Sequence, residues 1–149
     1  MNKVFFFAFT LFTLSIFNSC GDDEEIMEEV VGAVDFDYQA NILSPTIDDK
    51  KVGDLLHIHI DFESLTSETV HHVKVTLTNI SDGTVIYSKP DDAHVHQEDG
   101  TFEYQDDFML SNENGITEHT DWILEAKVWA HEAGLAETVE TIQFHVHPN

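Results

Sequence analysis

From residue 36 to the C-terminus, apolar and polar side chains trade places at every second position. The runs are short and turn residues break them. In "LLHIHIDF" (55–62), Leu56, Ile58, Ile60 and Phe62 form one row, while His57, His59 and Asp61 form the other. A period of two predicts a half-buried β-strand. The same period predicts a first strand at "FDYQANIL" (36–43), closed by "SPT", and a third at 70–79 with Val73, Val75 and Leu77 in register. "SDGT" is a hairpin-type turn into "VIYS" (85–88), which "KPDD" stops. "QEDGT" turns into "FEYQDDFML" (102–110), with Phe102, Tyr104 and Phe108 on one parity. Trp122, Leu124, Ala126, Val128 and Ala130 alternate next, "HEAG" turns the chain, and Ile142, Phe144 and Val146 mark a last strand. No helical period is sustained and no internal repeat is present. Seven short strands at this spacing predict an all-β sandwich, over residues 34–149.

The front of the chain reads differently. Lys3 is followed by an apolar run over residues 4–17 and by small or polar residues before Cys20. This is the layout of a secretory signal, with a run short for a membrane span. We therefore expect residues 1–19 to be a signal peptide. "IFNSC" resembles a lipobox, with Phe17 where Leu is usual, so Cys20 is the expected lipidation site. Cys20 is also the only cysteine. Once it carries lipid, disulfides, thiolate-bound zinc and cysteine nucleophiles are excluded. Residues 20–33 open with four acids after Gly21, and Glu28 and Glu29 follow. Such a stretch predicts a solvated tether. It also resembles the acidic export signal that follows the lipidated Cys in Bacteroidota surface lipoproteins. That resemblance implies an outer-membrane anchor facing the cell exterior.

Charge narrows the partners. The chain has 29 acids, 6 lysines and no arginine, for a net charge of −23; losing Lys3 with the signal takes it to −24. Such a surface repels phosphate polymers and anionic headgroups. Without arginine it also lacks the planar fork suited to carboxylates and phosphates. Nucleic acid is excluded as a partner, and cations are favoured.

The stretch "WILEAKVWAHEAGLAETVETIQFHV" resembles the closing hairpin of bacterial immunoglobulin-like domains. There an aromatic residue opens one strand and a Gly-containing turn leads to the last. Over residues 36–147 the chain resembles a family of Bacteroidota lipoproteins of unknown function with one such domain. In that family Gly-Asp followed by His marks the second strand, and His-x-His follows the third; "GDLLHIH" and "HVH" match both. The resemblance implies a seven-stranded immunoglobulin-like β-sandwich held at a membrane. It implies fold and location rather than chemistry.

The chain has 10 histidines. Six lie in His-x-His pairs, at His57/His59, His94/His96 and His145/His147. Alternate strand residues share a face about 6.6 Å apart, so such a pair can lean onto one ion. His71 and His72 are adjacent and point to opposite faces, which argues against their chelating together. Following the strand directions, His71, His72, His94, His96 and His131 fall at one pole of the sandwich. His57, His59, His119, His145 and His147 fall at the other, where they are expected to be divided between two sheets. His71 shares the parity of Val73 and Val75 and is expected to be a semi-buried core residue and not a ligand. The expected ligands are therefore His94 and His96, completed by His72 and His131, with His57 and His59 as second choice. Imidazole without thiolate suits Zn²⁺, Cu²⁺ or Ni²⁺ over Ca²⁺. The alternatives are solvated filler and a pH sensor.

Two functions fit these features. One is a metal-binding module for scavenging or delivery, with a Zn or Cu ion and no organic cofactor, beside an outer-membrane importer. The other is an adhesion or protein-interaction module of a surface complex, with Trp129 as its outward aromatic. No catalytic signature motif appears, and the expectation is a protein that is not an enzyme. Location gives the first prediction. Cys20→Ala should release the protein from the membrane fraction or leave its precursor uncleaved; unchanged fractionation would exclude the lipid anchor.

Overall fold

The computed structural model describes residues 35–132 and 135–149. The expected signal peptide, Cys20 and acidic tether lie outside the described residues, as do two positions of the "HEAG" turn. Nine strands follow one another: β1 (Tyr38–Ser44), β2 (Lys50–Lys51), β3 (Leu55–Ser64), β4 (Val70–Asn79), β5 (Val85–Lys89), β6 (His94–Gln97), β7 (Thr101–Met109), β8 (Thr120–Trp129) and β9 (Thr138–His147). Seven match the predicted runs. β2 and β6 are short additions that the alternation did not mark. Among the described residues the helical content is a three-residue 3-10 turn, Asn112–Asn114.

The strands form two sheets. One has the order β1-β3-β7, and the other β2-β9-β8-β4-β5, with β6 also paired to β4. Neighbours are antiparallel except β2 and β9, where Lys50 pairs with Val146 and Lys51 with His147 in parallel. The sheets pack as an immunoglobulin-like sandwich. Leu56, Ile58, Ile60 and Phe62 of β3 face Val73, Val75 and Leu77 of β4 and Trp122, Leu124, Ala126 and Val128 of β8 across one buried core. Phe144 and Val146 extend it along β9, and Leu110 and Ile116 close it from the β7–β8 connection. At an edge strand such as β7, with one neighbour only, Phe102, Tyr104 and Phe108 are half-buried.

Several buried polar groups find partners nearby, as a dry interior requires. The Trp122 indole donates to Thr120 Oγ1 (2.7 Å), and the Tyr38 hydroxyl donates to the Thr69 carbonyl (2.8 Å). Asn79 accepts from the Ser81 amide (2.8 Å), which shapes the β4–β5 turn; there Gly83 takes φ 75°. Tyr87 donates to Asp106 (2.7 Å) and meets the Tyr104 hydroxyl. Burial and then these partners push the Tyr87 phenol well above its usual range.

With no disulfide among the described residues, stability rests on this packing. Leu124 is fully buried in the middle of β8, and truncating such a leucine costs about 3 kcal/mol through lost transfer energy and a residual cavity. Leu124→Ala should lower urea stability of residues 21–149 by about that amount. Leu65→Ala, at an exposed position, should stay within roughly 0.5 kcal/mol.

Candidate metal centres

Two strand pairings build the first histidine cluster. β6 lies against the start of β4 with His94 opposite His72, and the register slips between Val70 and His72. On the other side of β4, Trp129 of β8 also stands opposite His72. His131 follows two residues later. The backbone at His96 is left-handed, φ 52°, which turns this histidine out of simple strand alternation. Five imidazoles therefore gather at one end of the domain.

His71 is the hub. Its ring centre lies 5.2 Å from that of His96, 5.5 Å from His131 and 6.3 Å from both His72 and His94. The edge of Phe36 backs it at 6.4 Å. One ring nitrogen from each of His71, His94 and His96 can be chosen so that all three lie within 4.8 Å of one another. Tetrahedral zinc holds its nitrogens about 3.4 Å apart, given bonds of about 2.0–2.1 Å, so modest side-chain rotation suffices to close the trio on an ion. Nδ1 of His71 is buried and makes no hydrogen bond. A buried imidazole nitrogen without a partner is costly, and a metal ion would supply one.

The other predicted ligands take different places. His72 donates from Nδ1 to the Ala130 carbonyl (3.0 Å), which leaves Nε2 free. Its ring stacks on Trp129 at 5.2 Å and lies 5.0 Å from that of His94. Trp129, the expected outward aromatic, is held between His72 and the Lys127 ammonium, which sits 5.3 Å from its ring centre. His131 stands beside His71 and His72, outside the tight trio. His71 keeps the core parity of its strand. Val70 before it is fully buried, and the register slip between Val70 and His72 leaves His71 half-buried among the other imidazoles.

His57 and His59 lie on the outer face of β3 among carboxylates. His57 Nδ1 meets Asp107 at 2.5 Å. His59 Nε2 lies 2.8 Å from Glu103 without the alignment of a hydrogen bond, and Asp61 stands 3.7 Å away. His59, Asp61 and Glu103 form a mixed donor group, open to solvent on two of its three members.

The opposite pole is divided between the two sheets, as expected: His57 and His59 belong to one, and His119, His145 and His147 lie with the other. The convergence of the latter three was not expected. β8 and β9 are neighbours, with Thr120 opposite Val146 and Asp121 opposite His145, and the turn before β8 brings His119 beside His145 and His147. One nitrogen from each of the three again lies within 4.8 Å of the others. The signal for this trio was the hairpin register, which depends on where the turn is centred.

No protein-family model matches the chain, and no curated protein does. Solved structures do resemble it. A CARDB domain from Pyrococcus furiosus, determined in solution, is 17% identical with a TM-score of 0.51, over 75% of this chain and 95% of that one. The crystal structure of that domain in complex with di-metal ions is 13% identical with a TM-score of 0.46, over 77% and 94%. A Niemann-Pick type C2 protein from the Japanese carpenter ant is 11% identical with a TM-score of 0.45, over 74% and 92%. The first likeness defines the class of this chain by fold, an immunoglobulin-like β-sandwich similar to CARDB domains. The latter two carry nothing further, and the ions in the crystal structure are that domain's own.

Burial, and then the neighbouring His96, His131, His72 and His94, hold the His71 imidazole below the ordinary histidine range. Charging it is therefore harder in the folded chain than in the unfolded one. Stability from neutral His71 is complete above the unfolded value of about 6.5 and is lost as pH falls from there toward the lower folded value. In the presence of a chelator, the urea midpoint should fall between pH 7 and pH 5. His71→Phe should make that fall shallower; equal slopes would remove His71 as its source.

Proposed function

We propose that this protein is a surface-exposed, outer-membrane lipoprotein whose sandwich domain binds transition-metal cations for scavenging or delivery. One observation carries the metal reading: His71, His94 and His96 present nitrogens within 4.8 Å of one another, and one His71 nitrogen is buried with no other partner. The lipoprotein reading rests on Cys20 and the acidic residues after it, and the large negative charge favours cation approach. We take it as a binding module rather than an enzyme. An importer in the outer membrane would be the natural recipient of the ion.

All-imidazole donors rank the ions. Divalent copper should bind more tightly than zinc, by the usual order for nitrogen sites. Ca²⁺ and Mg²⁺ prefer oxygen ligands and should leave the imidazoles untouched. The completing ligand is assigned to His72 or His131, both within reach of the trio through rotation about their side chains. Binding should weaken below about pH 6, where protons compete for imidazole nitrogen.

Calorimetric titration of residues 21–149 with Zn²⁺ and Cu²⁺ tests the reading. His94→Ala with His96→Ala should weaken the tightest binding by roughly 100-fold or more, since two of three ligands go and loss of mere supporting groups already costs 10–100-fold. His57→Ala with His59→Ala should leave it nearly unchanged. The reverse ranking would move the site to the face of β3. Absence of binding by the unaltered chain would favour an interaction module with incidental histidines.

A further inference from the structure

We infer that His119, His145 and His147 form a second, separate transition-metal site at the opposite pole, with Asp121 and Asp49 as the residues that position its imidazoles. The inference uses none of the residues of the first cluster. β8 separates the two ends by ten residues, roughly 30 Å at about 3.3 Å per residue, so no single ion reaches both.

The trio is built by the sheet. His145 and His147 alternate with buried Phe144 and Val146, so both imidazoles stand on the outer face of β9. Their ring centres are 4.6 Å apart. His119 sits one residue before β8. Its amide donates to the Val146 carbonyl (2.8 Å), and its backbone is left-handed, φ 56°. That hydrogen bond ties the turn before β8 to the end of β9 and leaves the His119 ring 6.2 Å from His145 and 6.3 Å from His147. Both partner strands are anchored in the core through Trp122 and Val146, so the three side chains start from fixed backbone.

The carboxylates favour the ligating form of two of them. His145 Nδ1 lies 2.7 Å from Asp121 Oδ1, and His147 Nε2 lies 3.0 Å from Asp49 Oδ2. Asp121 comes from β8. Asp49 is brought in by the parallel pairing of β2 with the end of β9. An imidazole that donates one N–H to a carboxylate keeps its proton there and turns the other nitrogen's lone pair outward. Histidines that bind metals are held in this way, and the carboxylate also raises their basicity. Three histidines with a fourth position open suit Zn²⁺ or Cu²⁺. The first cluster offers His71 with no such carboxylate, so the two poles differ in support.

Zinc and copper titration of residues 21–149 separates the two sites by stoichiometry. The unaltered chain should bind two ions. A variant with His71→Ala, His94→Ala and His96→Ala should keep one, and His145→Ala with His147→Ala in the unaltered chain should also leave one. Circular dichroism and a cooperative urea transition establish that each variant is folded. Asp121→Asn and Asp49→Asn should each weaken the ion retained by the first variant by about 10-fold, with the metal-free melting temperature held. Wild-type saturation at one ion that vanishes with the His71, His94 and His96 variant would overturn this inference and leave the proposed function standing. Two ions bound with no change on losing His145 and His147 would also overturn it. One ion lost with His145 and His147, and unaffected by the first variant, would uphold this site and end the reading of the other.

Discussion

Each long strand has one row of side chains to give to the space between two sheets, and that space is the only dry interior the domain has. Cys20 is the only cysteine in the chain, so nothing covalent holds the sheets together. Burial of that row must offset the conformational entropy of ordering the strands. Val73, Val75 and Leu77 on β4 and Leu124, Ala126 and Val128 on β8 are therefore shut away completely. The alternate row is then free of structural duty. His145 and His147 are carried on it, and so are His57 and His59, because the apolar row between them is spoken for by the core.

Strand ends are where the two rows stop being equivalent. At the start of β4, Val70 is fully buried and His71 beside it sits half-buried among other imidazoles. The register slip between Val70 and His72 and the short strand β6 bring His94 and His96 to the same place. At the other end, the β8–β9 ladder runs regularly to Thr120 and Val146, and a left-handed turn at His119, tied to the Val146 carbonyl, completes the trio. There Asp121 and Asp49 meet the rings of His145 and His147.

Acidic charge surrounds both clusters, and it acts over a wider range than either. At physiological salt its field extends about 8 Å from the surface, so it raises the local concentration of cations without choosing among them. Choice belongs to the donors. Imidazole nitrogens select the later transition metals over the calcium and magnesium that carboxylates alone would take. The pairing of His57 with Asp107 and of His59 with Glu103 shows the same acids engaging histidine directly on the face of β3.

The period of two determined by itself which residues face the core, because adjacent side chains on a strand must point to opposite sides. That was enough for the all-β class, for the bounds of β4 and most of β3, and for the sorting of histidines between two ends. It was silent on β6 and β2, whose backbones are held by the strands they join and need no alternation of their own. It placed His71 as a semi-buried residue, and His71 is half-buried, but the register slip that sets it among other imidazoles leaves no mark in the alternation. It divided the lower histidines between the two sheets, as they are, without showing that His119, His145 and His147 converge. Which strand lies beside which, and at what register, is decided by the folded sheets competing for a single interior. Distances between imidazoles follow from that pairing, so the tight histidine trios became visible only in the tertiary structure.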